Sequence, residues 1–193
     1  MGKRILIING NPATLRESFS AALCKAYADG AAGGGHEVRR LNIAGLSFDP
    51  ILHEGLHGEQ VLEPDLLKAQ DDIRWAQHLV FAYPMWQFGI PALLKGFGER
   101  ALTPGFAYAL SGKNPLQLGL LKGRSARLIQ TMGMPDSLYR LVYRAHGGKA
   151  FGSALGFCGI APVRFTFLGL IESGDKTRRH YLDRVRRLGV GAL

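Results

Sequence analysis

The sequence predicts a three-layer α/β fold over a single domain of residues 1–193, with a five-stranded parallel sheet in the order 2-1-3-4-5 and helices on both faces. Three observations carry this. Short apolar or β-branched runs recur at 4–8, 37–41, 78–82, 126–130 and 163–167. Between them lie segments with apolar residues every three or four positions, and strand–helix alternation at this spacing builds parallel sheets. At 193 residues, 47% hydrophobic and 20% charged, the chain suits one domain with a sizeable core.

In the first and third runs, Ile5-Leu6-Ile7-Ile8 and Leu79-Val80-Phe81-Ala82 are continuously apolar, as strands covered on both faces are. The first helical segment, 18–32, sets Phe19, Leu23 and Tyr27 on one stripe and stops at Gly33-Gly34-Gly35. The second, 64–76, carries Leu66, Leu67, Ile73 and Trp75. The third, 91–102, opens on Pro91, whose missing N–H costs nothing in a first turn. A fourth spans 137–156, with Gly147-Gly148 as a candidate point of interruption. The last, 175–188, turns Leu182, Val185 and Leu188 inward and leaves its arginines solvated. Five strands favour the flavodoxin-like order over a six-stranded dinucleotide fold.

Such sheets bind ligands beyond the carboxyl ends of their strands, where strand order reverses. That rule nominates the loops 9–18, 83–91 and 131–139. The first lacks both GxxxxGK[ST] and GxGxxG. It offers Asn11, Arg16 and the candidate N-cap Ser18, followed by Phe19 and Ser20, which make either a plainly capped helix or a phosphate site. The second holds Pro84, Met85, Trp86, Gln87 and Phe88 in a Pro/Gly-bounded loop. Its aromatic faces and backbone donors are what an isoalloxazine ring asks for. The third, with Thr131, Met132, Gly133 and Met134, can close the other side of the ring's edge. Tyr139 and His146 lie two turns apart and share a face if their helix is continuous.

The run Tyr83-Pro84-Met85-Trp86-Gln87-Phe88-Gly89-Ile90-Pro91-Ala92-Leu93-Leu94-Lys95-Gly96-Phe97-Gly98-Glu99-Arg100, then Pro104-Gly105-Phe106-Ala107-Tyr108, resembles the NAD(P)H:quinone oxidoreductases of the DT-diaphorase type. Leu121-Lys122-Gly123-Arg124, Thr131-Met132-Gly133 and Phe157-Cys158-Gly159 follow in the family's order, so the resemblance covers nearly the whole chain. It implies a flavodoxin-fold homodimer with FAD or FMN, FAD slightly favoured. It also implies NAD(P)H as co-substrate and ping-pong hydride transfer to a quinone or similar acceptor in a pocket shared between subunits.

By the same resemblance, Ser18, Phe19 and Ser20 hold the flavin's phosphates or ribityl chain. Residues Pro84 to Phe88 and Thr131 to Met134 bracket the ring. Tyr139 and His146 match the family's tyrosine and histidine near ring and substrate. They are the expected catalytic residues, donating a hydrogen bond or proton to the anion developing on flavin or quinol. Phe106 and Tyr108 belong to the substrate pocket, with Tyr108 reaching into the neighbour's. The chain departs from the family pattern at Asn11, where a histidine is common, at Met132 and Met134 in place of Thr and Gly, and at Leu110 in place of tyrosine. His146 aligns only with one inserted residue. The family also admits a regulatory subunit of a membrane transporter, while the fold alone admits a flavodoxin-type electron carrier or a flavin-free binding module.

The net charge of +9 is spread along the chain without a nucleic-acid recognition motif, and attraction of anionic cofactors accounts for it. The most apolar stretch, 150–163, holds three glycines and Pro162, short of the roughly 20 residues a membrane span needs. No signal-peptide pattern opens the chain, and a cytoplasmic location is expected. Cys24 and Cys158, far apart and in apolar surroundings, read as packed, reduced thiols. His53-Glu54-Gly55-Leu56-His57 matches HExxH, yet its central glycine and nearby Pro50 and Gly58 are loop composition, so no metal is expected.

Overall fold

The computed structural model describes residues 2–13, 18–56, 58–110 and 118–192. Its strands are β1 (Arg4–Asn9), β2 (Glu37–Asn42), β3 (His78–Pro84), β4 (Ser125–Thr131) and β5 (Val163–Leu168), all parallel and ordered β2-β1-β3-β4-β5. Each expected strand is present, extended by one or two residues. The helices are α1 (Phe19–Gly33), α2 (Pro64–Trp75), α3 (Ala92–Ala101), α4 (Asp136–Leu141), α5 (His146–Phe157) and α6 (Asp175–Val190).

Alternation along the central strands divides the core in two. Leu6, Ile8, Leu79, Phe81 and Leu128 pack against α2, α3 and α5. Ile5, Ile7, Val80, Ala82 and Ile129 face α1 and α6. Because both faces are covered, β1 and β3 bury nearly every side chain, which is why they read as unbroken apolar runs. Val185 of α6 is buried, with Leu182 and Leu188 packed beside it, and the helix's arginines stay exposed as expected. Among the described residues no helix is long and apolar enough to cross a membrane.

Helices α1 and α6 meet backbone to backbone. A Cβ at Gly30 would overlap the Arg186 carbonyl oxygen, and one at Gly189 would overlap that of Tyr27. Glycine is required at both positions by close approach, not by a special dihedral angle.

The segment expected as one helix over 137–156 is two. The break falls at residues 142–145, before the glycine pair, where Arg144 and Ala145 both take φ of 52°. The Ala145 N–H donates to the Tyr139 carbonyl at 3.0 Å, closing this left-handed step. Gly147 and Gly148 instead form the first turn of α5. Tyr139 and His146 therefore sit on different helices and share no helix face.

At the opposite end of the sheet, His78 is fully buried. Its Nδ1 lies 2.8 Å from Ser125 Oγ, and its Nε2 has no partner among the described residues. Burial, reinforced by the cations Lys3, Arg127 and Arg164 and by His36, pushes its pKa down to about 3. As pH falls below the ordinary value of 6.5, the unfolded chain takes up a proton that the folded chain refuses until about 3.

Stability should therefore fall through that window by up to about 1.4 kcal/mol per pH unit. His78→Gln is expected to flatten the slope, measured as urea midpoints at about pH 7 and about pH 5. Gly30→Val is expected to cost at least about 2 kcal/mol in the same assay, because α1 and α6 must separate to admit the side chain.

Candidate active site

Register places the three nominated loops at one edge. Asn9 pairs with Ala82 and Pro84 with Thr131, so β1, β3 and β4 end side by side. The Met85 N–H donates to the Thr131 carbonyl at 2.7 Å, tying the second loop to the third.

The second loop closes as a tight turn. Trp86 and Gly89 exchange backbone hydrogen bonds of 3.2 and 2.9 Å, with Gln87 at φ 48° and Phe88 at φ 63° between them. Two non-glycine residues in the left-handed region cost about 1–2 kcal/mol each, so something must hold them there. Tyr139 does. Its fully buried hydroxyl donates to the Phe88 carbonyl at 3.3 Å and accepts from the Gly148 N–H at 3.2 Å and Gln130 Nε2 at 3.4 Å. A Cβ at Gly147 would overlap the same Phe88 carbonyl, so the second residue of α5 must be glycine for the helix to reach the turn. From outside, the Tyr143 ring lies 4.6 Å from that of Phe88.

This frame leaves the Gln87 and Phe88 N–H groups without a partner among the described residues. Those of Gly133 and Met134 are equally free, while the Met134 and Met132 carbonyls anchor the third loop to Leu170 and Ile171. Thr131 and Met132 are buried, and the Met132 side chain packs into a small cluster with Tyr139 and Ala145. Its N–H donates to the Leu168 carbonyl at 2.9 Å, so backbone and side chain alike are turned inward, contrary to a bracketing role for Met132.

In the first loop Ser18 caps α1, its Oγ accepting from the Ala21 N–H at 3.1 Å. The Phe19 and Ser20 N–H groups have no partner among the described residues, and Ser20 is buried. Asn11 is buried in two successive side-chain turns, accepting from the Ala13 N–H at 3.0 Å while its own N–H donates to Asn9 Oδ1 at 3.2 Å. Arg16 lies outside the described residues.

An apolar groove of about 930 Å³ runs from this edge between α3 and α5. Trp86, Gln87, Ile90, Tyr108, Phe151 and Phe157 line it, and the Tyr108 ring sits 5.0 Å from that of Phe157. Phe106 does not line it: that ring packs on the core with the Arg74 guanidinium 5.0 Å above. Burial pushes the Cys158 thiol on the groove wall up to about 11 and the Cys24 thiol up to about 12, so both are inert thiols. His146 is exposed at the start of α5 and is not among the partners of the Tyr139 hydroxyl.

In the HExxH segment, His53 Nε2 meets Asp49 Oδ2 at 2.9 Å within an exposed turn, and His57 lies outside the described residues. Among the described residues no cluster of potential metal ligands exists.

Unspent donors beside flat apolar surface, with a helix N-terminus one loop away, fit the edge, face and phosphate of a flavin. Sequence reasoning found these loops but missed Gln130, the Phe88 carbonyl and Tyr143 as the parts that fix them. The glycine pair 147–148 was the one available signal, because two glycines opening a helix mark close backbone approach.

Fold and site together define a flavodoxin-like α/β protein whose ligand cradle lies beyond β1, β3 and β4. A family described as having a flavodoxin-like fold matches residues 3–188. A Haemophilus influenzae protein named as an uncharacterized NAD(P)H oxidoreductase is 30% identical over 184 residues, covering 92% of this chain and 90% of that one. NAD(P)H dehydrogenase [quinone] 1 of Cavia porcellus is 30% identical over 162 residues, 72% of this chain but 56% of that protein's length. The crystal structure of Smu.1420 from Streptococcus mutans superposes with a TM-score of 0.83 at 31% identity, covering 97% of this chain and 99% of that one. The chain belongs to the flavodoxin-fold family of NAD(P)H:quinone oxidoreductases.

Tyr139→Phe is expected to lower stability by about 1–3 kcal/mol, since it strips a buried N–H and carbonyl of their partner. It should also weaken flavin binding about tenfold as the 86–89 turn relaxes. Urea unfolding and fluorescence titration with flavin measure the two effects separately.

Proposed function

We propose that this chain is a flavin-dependent NAD(P)H oxidoreductase that delivers electrons to a quinone-type acceptor. The observation that carries this is the strained 86–89 turn, which presents the Gln87 and Phe88 N–H groups at the mouth of an apolar groove. These two donors, with those of Gly133 and Met134, would hold the ring's edge, and the Trp86 side chain its face. The N-terminus of α1, with Ser18, Phe19 and Ser20, would hold the phosphate. A bound flavin supplies the two-electron transfer between nicotinamide and acceptor.

The chain's own part is positional. Tyr139, sealed from solvent, acts through the Phe88 carbonyl as a positioning residue, not as a proton donor to substrate. The groove wall of Ile90, Phe151 and Phe157 excludes water and takes a flat, apolar acceptor. His146, exposed at the start of α5, remains the candidate for handling a proton at the rim.

For the flavin we favour FMN over FAD. An Alcanivorax borkumensis relative, 26% identical over 177 residues, is named as an FMN-dependent NADH:quinone oxidoreductase. A homodimer is also proposed, a second copy closing the groove beside Tyr108, because so apolar a groove is seldom left open to water.

Protein purified from cells is expected to be yellow, to release FMN on denaturation, and to oxidise NADH or NADPH steadily with a benzoquinone. A colourless protein that gains no visible absorbance with FMN or FAD would overturn the reading. Tyr108→Ala is expected to raise the acceptor KM about tenfold with flavin content unchanged, which steady-state kinetics on the loaded enzyme would show.

A further inference from the structure

Beside the site, the turn around α4 exposes an unusual set of side chains. Leu141 is 78% and Val142 64% exposed, and Leu138 and Tyr143 are also open to solvent. Of α4, only Tyr139 is buried. Through the Tyr143–Phe88 ring contact the patch continues to the exposed rings of Phe88 and Trp86. Arg140, Arg144 and Lys149 are exposed along it. From Ser137 to Ile171 the chain carries no aspartate or glutamate. The nearest carboxylate is Asp136, which meets Arg140 at only 3.8 Å across an exposed pair, a contact worth little in water.

We propose that this turn seats the rim of the site on an anionic lipid bilayer. Exposed leucine and valine flanked by cations are the two components of interfacial binding. The apolar tips enter the acyl boundary while arginine and lysine meet the headgroup phosphates. The other basic face, on α6, has only one of these components, because its apolar stripe is spent against α1. A second copy of this chain is the competing occupant. Yet Leu138, Leu141 and Val142 do not line the α3–α5 groove where a copy is proposed to sit, and a face with three cations against the single carboxylate of Asp136 is a poor match for itself. Resting on the functional reading above, the consequence is that the site draws lipid-soluble acceptors from the bilayer. The binding itself does not depend on that reading.

Sedimentation with vesicles tests it, using the flavin-loaded protein. Wild type is expected to pellet with phosphatidylcholine vesicles containing about one-third phosphatidylglycerol, and to stay in solution with phosphatidylcholine alone. Arg140→Gln with Arg144→Gln should weaken partitioning roughly fivefold per cation lost, and Leu141→Asp with Val142→Asp should abolish it. Arg179→Gln with Arg187→Gln on α6 should change it less than the turn pair does. Absence of wild-type binding, wild-type binding by both turn variants, or a greater loss in the α6 pair would overturn the proposal. So would a shift in oligomeric mass of the turn variants by light scattering, which would assign the patch to a second copy. Turnover of a water-soluble quinone by the same samples is expected to be unchanged, and its absence in wild type would count against the functional reading alone.

Discussion

Two side chains in the left-handed region, Gln87 and Phe88, give the loop after β3 a shape that local propensity alone would not choose. What holds it is a buried hydroxyl. Tyr139 reaches under the turn to the Phe88 carbonyl, and the same oxygen receives the first turn of α5 and the Gln130 amide. Three elements that are distant in sequence thus meet on one atom. Remove it and the donors of the turn lose their aim, while the sheet, whose cores lie elsewhere, stays intact.

Parallel register does the rest of the assembly. Because β3 and β4 end level and β1 ends beside them only two residues earlier, their loops form one continuous surface without any loop having to travel. The chemistry of that surface is divided. Backbone N–H groups supply polarity, and side chains supply flat apolar walls, so there is no buried charge to desolvate before a ligand enters. A net charge of +9 then favours anionic ligands at long range, while the one lysine lining the groove, Lys95, is paired with Glu99.

Much of this was legible in the residues. Ile5 to Ile8 and Leu79 to Ala82 announce strands buried on both sides, and the count of five strands favours the order that the sheet has and so the loops that matter. Ser18 reads as a cap because its hydroxyl competes for backbone donors wherever it sits. The break between α4 and α5 was not legible. Residues 142–145 contain neither glycine nor proline, and their left-handed step exists because tertiary contacts over-determine it. The fate of Tyr139 was equally hidden, since a tyrosine near a site reads the same whether its hydroxyl faces substrate or a carbonyl. Phe106 misled because it sits in the turn after Thr103, which sends its ring beneath Arg74 although Tyr108, two residues on, lines the groove.

The fused α1–α6 pair bears on how the chain is made. One face of the sheet, formed by Ile5, Ile7, Val80, Ala82 and Ile129, is covered jointly by the first helix and the last. Until α6 has been synthesised, α1 lacks the partner against which Gly30 is fitted, and half of the core remains wet. The other face needs only α2, α3 and α5, all of which leave the ribosome earlier. Vectorial folding of this chain therefore has a built-in order, with the α2–α3–α5 side consolidating first and the α1 side closing only when α6 emerges.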